Sequence, residues 1–203
     1  MFKSFKRLAL TLAVAIAMAL PMTAQAATPE ANTADAAGTF VLDVTSQAFV
    51  MMATPDEAER DAALLALFNE NFAVHALGRF ALGQYVRSAS AEQLSAYDAL
   101  FGPALVRTYA GQLKDYANRP LSIQRVRAGR KAGQYAVYSQ LANGNQPLNL
   151  VWLVEYKNGK FLIKNVSIEG INVASMLRDA YSSVAGNQGM DALIARLRDI
   201  TGA

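Results

Sequence analysis

Cysteine is absent from this chain of 203 residues, and histidine occurs only once, as His75. The lack of cysteine excludes disulfides, thiolate metal sites, cysteine nucleophiles and a lipid-modified N-terminal cysteine. A single imidazole cannot build the multi-histidine sites that hold catalytic metals. Charged residues are also few, at 17%, whereas 53% of the residues are hydrophobic. That composition excludes intrinsic disorder and supports a large core.

Sequence motifs of catalysis are lacking as well. The chain contains no Gly-x-Ser-x-Gly elbow, no phosphate-binding glycine loop and no dinucleotide fingerprint. Most carboxylates fall on polar faces of predicted helices, and only Glu155 and Glu169 fall in the predicted strand region. We expect Glu169 to hold a turn and His75 to lie at the surface or partly buried. No residue set therefore supports catalysis, and the metal-ligand prediction is none.

The formal net charge of +3 belongs to the start of the chain, where three basic residues have no acidic counterpart. Residues 27–203 therefore carry no net charge, which gives no argument for nucleic-acid binding. Arg125, Arg127, Arg130 and Lys131 form a local basic run near a predicted hairpin tip. A solvated turn explains such a run, and a surface that docks a protein or anionic headgroups is the functional alternative.

Residues 1–26 have the pattern of a secretory signal peptide. A basic start precedes an apolar stretch from Leu8 to Leu20, and Ala24-Gln25-Ala26 is a small-residue cleavage site. The apolar stretch is too short for a comfortable membrane span. We expect cleavage and export to the bacterial periplasm, with an uncleaved anchor as the alternative.

The remainder divides into a predicted flexible leader, residues 27–38, and one predicted domain, residues 39–203. Helical periodicity predicts a first helix at about 39–52 and a broken helical stretch over 73–86. Further signals predict a helix start at Thr54-Pro55, a capping box that begins at Ser90, and a kink or break at Pro103.

After Pro120 the apolar period becomes two, which predicts strands. Four are expected: Leu121 to Arg127, Tyr135 to Leu141, Leu148 to Tyr156 and Phe161 to Ile168.

Turn chemistry and hydrophobicity organise these strands. Asn158-Gly159 predicts a type I′ hairpin turn. The third strand is apolar on both faces, which predicts a central strand covered on both sides. Helical spacing returns at Asn172, ends at Gly186 and resumes from Met190 to Ile200. The fold class is therefore α+β, with a curved antiparallel sheet of about four strands covered by N- and C-terminal helices.

Several segments, in matching order, resemble the MlaC family of toluene-tolerance (Ttg2-type) periplasmic phospholipid-binding proteins. They are Ala81-Leu82-Gly83-Gln84-Tyr85, Ser88-Ala89-Ser90-Ala91-Glu92-Gln93, Thr108-Tyr109-Ala110, Leu113-Lys114-Asp115-Tyr116, Val166-Ser167-Ile168-Glu169-Gly170-Ile171-Asn172-Val173 and Gly189-Met190-Asp191-Ala192-Leu193-Ile194-Ala195-Arg196-Leu197. The resemblance covers about residues 40–200.

The resemblance implies a soluble periplasmic shuttle that maintains outer-membrane lipid asymmetry and is not an enzyme. It would need no cofactor, and bound phospholipid would be its cargo. Its partners would be an outer-membrane lipoprotein–porin complex and an inner-membrane ABC transporter with an MCE-domain subunit. The acyl chains would enter an apolar cavity between sheet and helices, in a fold that is NTF2-like in outline.

The predicted lining of that cavity comes from the long helix, the sheet and the strand-to-helix segment. Its members are Tyr85, Tyr97, Phe101, Leu105, Tyr109, Val137, Val151, Leu153, Val166, Ile168, Ile171, Val173, Met176 and Leu177. If the cavity uses the other face of the third strand, then Leu150, Trp152 and Val154 replace Val151 and Leu153. An NTF2-like periplasmic enzyme acting on a small apolar substrate and a scaffold with a filled core are the alternative functions.

Overall fold

The first helix forms earlier in the chain than predicted. The structure is a computed structural model that describes residues 32–117 and 119–203. The predicted signal peptide and residues 27–31 of the predicted leader lie outside the described residues. Helix α1 (Ala34–Met52) begins where Thr33 Oγ1 accepts a hydrogen bond from the amide of Ala36 at 3.1 Å. The leader prediction is therefore wrong from Ala34 onward, because this capped turn continues directly into the buried helix.

The next two helices begin and end at identifiable signals. Helix α2 (Glu57–Asn71) begins after Asp56, whose carboxylate accepts from the amide of Glu59 at 2.8 Å. The predicted start at Thr54 is therefore too early. The broken stretch is confirmed as α3 (Val74–Leu82) followed by a 3-10 helix (Gly83–Arg87).

Helix α4 (Ala91–Leu113) confirms the predicted capping box and excludes the break, one of the two outcomes predicted at Pro103. Ser90 accepts from the amide of Gln93, and the Gln93 side chain accepts from the amide of Ser90. The helix continues through Pro103 without interruption. It packs against α2, α3 and the last helix of the chain, and such tertiary packing outweighs the hydrogen bond lost at one proline.

The sheet has five strands, one more than predicted. They are β1 (Leu121–Ala128), β2 (Gln134–Leu141), β3 (Leu148–Lys157), β4 (Lys160–Ile168) and β5 (Ile171–Asn172). All neighbours pair antiparallel in the order β1-β2-β3-β4-β5, so β3 is central as predicted. Asn158 at φ 53° and Gly159 at φ 82° confirm that both turn residues have positive φ. The additional strand β5 has only two residues and pairs with the end of β4.

Two C-terminal helices complete the fold. Helix α5 (Val173–Gln188) passes through Gly186, the predicted end, and stops at Gly189, whose φ is 87°. Helix α6 (Met190–Thr201) confirms the last predicted helix. The helices lie on one side of a curved sheet that does not close into a barrel, which confirms the α+β fold class. Within residues 32–117 and 119–203, no helix is long and apolar enough to cross a membrane.

Candidate functional site

The sheet presents two different faces. The helix face packs against α1 and α2 and contains Tyr135, Val137, Ser139, Leu141, Leu150, Trp152, Val154, Ile163, Val166 and Ile168. The open face contains Arg125, Arg127, Tyr138, Val151 and Leu153. Because side chains alternate along a strand, the two faces interleave residue by residue.

This arrangement shows which of the two predicted sets of β3 residues faces the helices. Val137 is opposite Trp152 in the β2–β3 pairing, and both lie on the helix face. Val151 and Leu153 lie on the open face, where Leu153 is 41% exposed. The set Leu150, Trp152 and Val154 therefore faces the helices, and Val151 and Leu153 do not. The prediction that β3 is covered on both sides is also wrong, because no buried cluster includes its open-face residues.

The apolar interior is divided into two main clusters. The helical cluster is built from buried residues of α3, α4, α5 and α6. The sheet cluster joins α1 and α2 to the helix face through Val41, Val137, Val154 and Ile163. No strand residue belongs to the helical cluster. The four-helix layer therefore packs mainly on itself instead of on the sheet.

An apolar strip on the helix face belongs to neither cluster. It consists of Leu141, Leu148, Leu150, Val166 and Ile168. These side chains are neighbours across three strands, since Leu141 pairs with Leu148 and Leu150 pairs with Ile168. The strip is a continuous apolar surface across three strands, outside the protein's buried apolar clusters.

One end of the strip opens to solvent at the start of α5. Ile171 pairs with Ile168 at the edge of the sheet and is 62% exposed. Met176, one turn into α5, is 40% exposed, and Val173 between them is half-buried. We call Ile171, Val173 and Met176 the mouth residues. The Asn172 side chain accepts from the amide of Ser175 at 2.9 Å, which fixes the helix start beside them.

Four of the predicted lining residues on the helices lie inside the helical cluster. Tyr97, Phe101, Leu105 and Leu177 are buried in the helical cluster, each at most 8% exposed. The Tyr97 hydroxyl donates to the carbonyl of Gly78 at 3.0 Å. These residues hold the helices to one another.

The aromatic side chains around Tyr97 pack against one another. Tyr181 packs edge-on against Tyr97 and Phe101, with centroid distances of 6.3 and 5.9 Å. Burial raises the pKa of Tyr181 to about 12 and raises the pKa of Tyr97 still further. Tyr85 and Tyr109 pack half-buried at the margin of this cluster. At neutral pH the phenols of Tyr97 and Tyr181 are uncharged and fit an apolar interior.

Sequence reasoning missed three residues of the helix face: Ser139, Leu141 and Leu148. Ser139 is 2% exposed and accepts a hydrogen bond from the indole N–H of Trp152 at 2.9 Å. A serine in an apolar alternation gave no functional signal, although its phase with Val137 places it on the same face. Leu141 and Leu148 follow from the same alternation once the β2–β3 register is known.

The carboxylates and the histidine do not converge on the strip. Glu155 is paired with Lys164 at 3.3 Å, and a hydrogen bond from Gln134 is the main cause that lowers its pKa. Glu169 accepts from the backbone and side chain of Asn149 and holds the turn after β4, as predicted.

The His75 side chain is 73% exposed and lies 3.5 Å from Asp98. Among the described residues, no group of three His, Cys, Asp or Glu side chains could hold a metal ion.

Two surface hollows are present, and the larger borders the strip, because Leu121 in its lining pairs with Leu141. One, of about 540 Å³, is lined by outer residues of α1 together with Arg119, Pro120 and Leu121. The other, of about 140 Å³, lies between α2, α4 and the end of α6. Neither contains a predicted lining residue. Their rims carry charged groups, Asp43 and Arg119 in one and Asp61 and Arg107 in the other, which suits them poorly to acyl chains.

A family model and two curated proteins each match this chain over half of its length or more. The family model described as "MlaC protein" matches residues 43–199. The toluene tolerance protein ttg2D of Pseudomonas putida is 26% identical over 112 residues, which cover 53% of this chain and 50% of that protein. The intermembrane phospholipid transport system binding protein MlaC of Haemophilus influenzae is 29% identical over 131 residues, 60% of this chain and 58% of that protein. The chain thus matches between half and three fifths of the length of these relatives.

A solved structure shares the fold. The phospholipid-binding protein from Ralstonia solanacearum, solved in complex with a phospholipid, superposes with a TM-score of 0.68 at 20% sequence identity. The match covers 82% of this chain and 97% of that chain. The arrangement of helices on a curved sheet is therefore a known one.

Proposed function

Because this chain belongs to the MlaC family, we propose that it binds a phospholipid and carries it across the periplasm between the outer and inner membranes. The acyl chains lie between the apolar strip of the sheet and the helices, and the headgroup stays near solvent at the mouth residues. The relatives named for toluene tolerance and intermembrane phospholipid transport support this proposal.

The observation that carries the proposal is the apolar strip. Leu141 and Leu150 are buried, yet they belong to none of the buried apolar clusters of the described chain. A surface of this kind suits a ligand with long apolar chains.

The energetics of lipid transfer explain why such a site must enclose the chains. A buried methylene contributes about 0.8 kcal/mol. A two-chain lipid with about 30 methylenes would therefore lose on the order of 24 kcal/mol on exposure to water. A carrier must replace most of that burial, but it must not exceed what the receiving bilayer offers. Burial of apolar chains requires no covalent step, so we propose a carrier and not an enzyme.

The proposed lining keeps part of the predicted set. Val166 and Ile168 belong to the strip, and the mouth residues border its open end, whereas Tyr85 and Tyr109 pack at the margin of the helical cluster. Tyr97, Phe101, Leu105 and Leu177 support the helices behind that margin, and Val137 belongs to the sheet cluster.

The cellular context of the proposal follows from the family. We propose that residues 1–26 direct export to the periplasm and that phospholipid is the only bound cargo. The partners are an outer-membrane lipoprotein–porin complex and an inner-membrane ABC transporter with an MCE-domain subunit.

The test is native mass spectrometry of the purified protein, followed by organic extraction and lipid analysis. We expect a stoichiometric adduct with the mass of a phospholipid. A ligand-free mass, with no uptake from liposomes, would contradict the proposal and favour a filled scaffold.

A matched pair of variants locates the lipid. Ile171→Glu places a carboxylate at the mouth, and Leu153→Glu places the same carboxylate on the open face, where the side chain is also exposed. Burying a charge beside acyl chains costs at least about 2 kcal/mol, so Ile171→Glu should raise the Kd for lipid more than about tenfold and lower the lipid-bound fraction. Leu153→Glu should leave it unchanged. Equal lipid content in both variants would show that the mouth is elsewhere.

The only tryptophan provides a second readout. Trp152 is half-buried on the helix face, opposite Val166. Acyl chains on the strip would make its surroundings more apolar, so lipid loading should shift its fluorescence emission to shorter wavelength. The same shift should be absent in Ile171→Glu and present in Leu153→Glu.

A further inference from the structure

The net charge differs in sign between the sheet and the helices. Residues 119–168, which contain β1 to β4, include eight lysines and arginines and one acidic residue, Glu155. The other described segments, residues 32–117 and 169–203, include 14 acidic and eight basic residues. A chain whose net charge is zero beyond residue 26 therefore has a basic sheet and acidic helices.

Two arginines on the open face, Arg125 and Arg127, lie over the ring of Tyr138. Arg125 is opposite Tyr138 in the β1–β2 pairing, and its guanidinium carbon lies 4.1 Å from the centre of the Tyr138 ring. Arg127 lies on the same face, 6.0 Å from the same ring. Stacking on tyrosine leaves the guanidinium hydrogens directed outward, where they are free to bind an anion.

Two hairpin tips extend the positive surface at one end of the sheet. Arg130 and Lys131 lie in the β1–β2 loop, and Lys157 and Lys160 flank the β3–β4 turn. The two tips are adjacent, because the amide of Tyr156 donates to the carbonyl of Gly133 at 2.6 Å. We call Arg130, Lys131, Lys157 and Lys160 the tip cations.

Almost all of this charge is available to an external partner. Of the basic residues on the open face and the tips, only Lys164 forms an ion pair, with Glu155, within the described part of the chain. The tip cations, Arg125 and Arg127 are all solvent-exposed. Unpaired cations of one sign on a continuous surface attract an anionic surface over a distance of about one Debye length, which is about 8 Å at physiological salt.

We propose that the open face and the tip cations dock the protein on the anionic headgroup surface of a phospholipid bilayer. A basic surface of this kind suits an anionic bilayer. Each lysine or arginine near such a membrane strengthens binding about fivefold. Protein interfaces differ, since their centres are apolar and depleted in lysine. Here Leu153 is the only exposed large apolar residue of the open face, and the tips carry none.

The docking surface and the proposed lipid mouth are separate. The tips flank the start of β4, whereas Ile171 pairs at its end. The inference goes beyond the carrier function, because docking would hold the protein at a membrane whether or not it is loaded. Retention of this kind is reversible, since no apolar tip residue is available to insert.

The experiment is co-sedimentation of the purified protein with vesicles. One vesicle type is phosphatidylcholine alone, and the other is phosphatidylcholine mixed with phosphatidylglycerol. Binding is measured at ionic strengths of about 0.01 M and about 0.15 M. The test variant neutralises the tip cations as Arg130→Gln, Lys131→Gln, Lys157→Gln and Lys160→Gln.

The control variant removes the same number of charges from exposed helical positions. It carries Arg87→Gln, Lys114→Gln, Arg196→Gln and Arg198→Gln. Both variants have the same net charge, so they differ only in where the charge was lost. A second test pair, Arg125→Gln with Arg127→Gln, probes the open face independently if the tip variant fails to fold.

We expect the wild type to bind only the anionic vesicles and more strongly at low salt. The tip variant should bind more than about 100-fold more weakly, and the control should stay within about threefold of wild type. Absence of binding would overturn the proposal and would favour a surface that docks an acidic protein. Equal binding to neutral vesicles, or equal losses of binding in both variants, would also overturn it. Because co-purified lipid is measured on the same samples, loss of docking with retained cargo separates this inference from the carrier function.

Discussion

At the residue scale, Trp152 and Leu153 show how one position along a strand changes a role. Trp152 is opposite Val137 and Val166 on the helix face, and Leu153 is 41% exposed on the open face. Both sets of β3 side chains are apolar, so their hydrophobicity does not reveal which set meets the helices. Only the pairing register and the side on which α1 packs decide it.

The buried tyrosines make stability sensitive to alkaline pH. Burial is the main cause that raises the pKa of Tyr181 to about 12, and the neighbouring Tyr109 adds to it. The phenol ionises at a pH near 10 in the unfolded chain and only near pH 12 in the folded protein. Its contribution to stability is therefore complete below pH 10 and is lost as the pH rises from 10 to 12.

We predict that the free energy of unfolding of the wild type falls relative to that of Tyr181→Phe above pH 10. The difference should change by about 1.4 kcal/mol per pH unit until pH 12, because phenylalanine has no proton to lose. Urea unfolding of both proteins at pH 8, 10, 11 and 12 measures it. Parallel curves for the two proteins would contradict the assigned burial of Tyr181.

At the scale of single elements, helix ends show where local signals compete. Thr54 and Asp56 are both capping residue types, and the structure uses Asp56. Gly186 and Gly189 are both possible helix ends, and α5 stops at Gly189. Gly186 stays within α5 and packs closely against Tyr85. A Cβ at this position would lie 2.3 Å from the Tyr85 hydroxyl oxygen. At Gly186 this contact between elements favours a continuous helix, and no local pattern contains that information.

The β1–β2 hairpin depends on Gly133. Its φ is 78°, and a Cβ at this position would lie 2.8 Å from the carbonyl oxygen of Tyr156. Gly133→Ala therefore combines a left-handed backbone, which costs about 1–2 kcal/mol, with a clash against main chain that cannot rotate away. We predict a loss of at least about 2 kcal/mol in the free energy of unfolding, measured by urea denaturation.

Gly144→Ala is the matched control for this prediction. Gly144 also has a positive φ, 56°, but nothing lies within 4 Å of an added Cβ. Its loss should be confined to the conformational cost of about 1–2 kcal/mol. Equal losses in the two variants would show that the contact with Tyr156 does not constrain the hairpin.

At the scale of the whole molecule, the division into a helical cluster and a sheet cluster has a thermodynamic consequence. A lipid bound beside the apolar strip, as proposed, would bind only the folded protein and would therefore stabilise it. We predict that removal of bound lipid by organic extraction or detergent exchange lowers the Tm and that reloading from liposomes restores it.

Calorimetry of the protein as purified, delipidated and reloaded measures this effect. At a lipid concentration about 100 times the Kd, the expected stabilisation is about 2.7 kcal/mol. Leu153→Glu should show the full difference, and Ile171→Glu should show little of it. A Tm that does not respond to lipid would mean that the strip is filled by the protein itself.

The sequence by itself determined the class of the protein. Period-two alternation after Pro120, the Asn158-Gly159 turn and the capping box at Ser90 are local signals, and the structure confirms each of them. The ordered segments between about residues 40 and 200 indicated the family to which the chain belongs. Local signals of this kind survive folding because they act over a few residues, where the chain has few alternatives.

Only the tertiary structure decided which apolar residues meet each other. Tyr97, Phe101 and Leu177 have the same periodic signature as a cavity lining, yet they are buried between helices. Leu141 and Leu148 gave no separate signal, yet they form part of the strip. The physical reason is that hydrophobic burial is non-directional. A sequence therefore indicates how much apolar surface must be buried, whereas strand register and helix packing determine where.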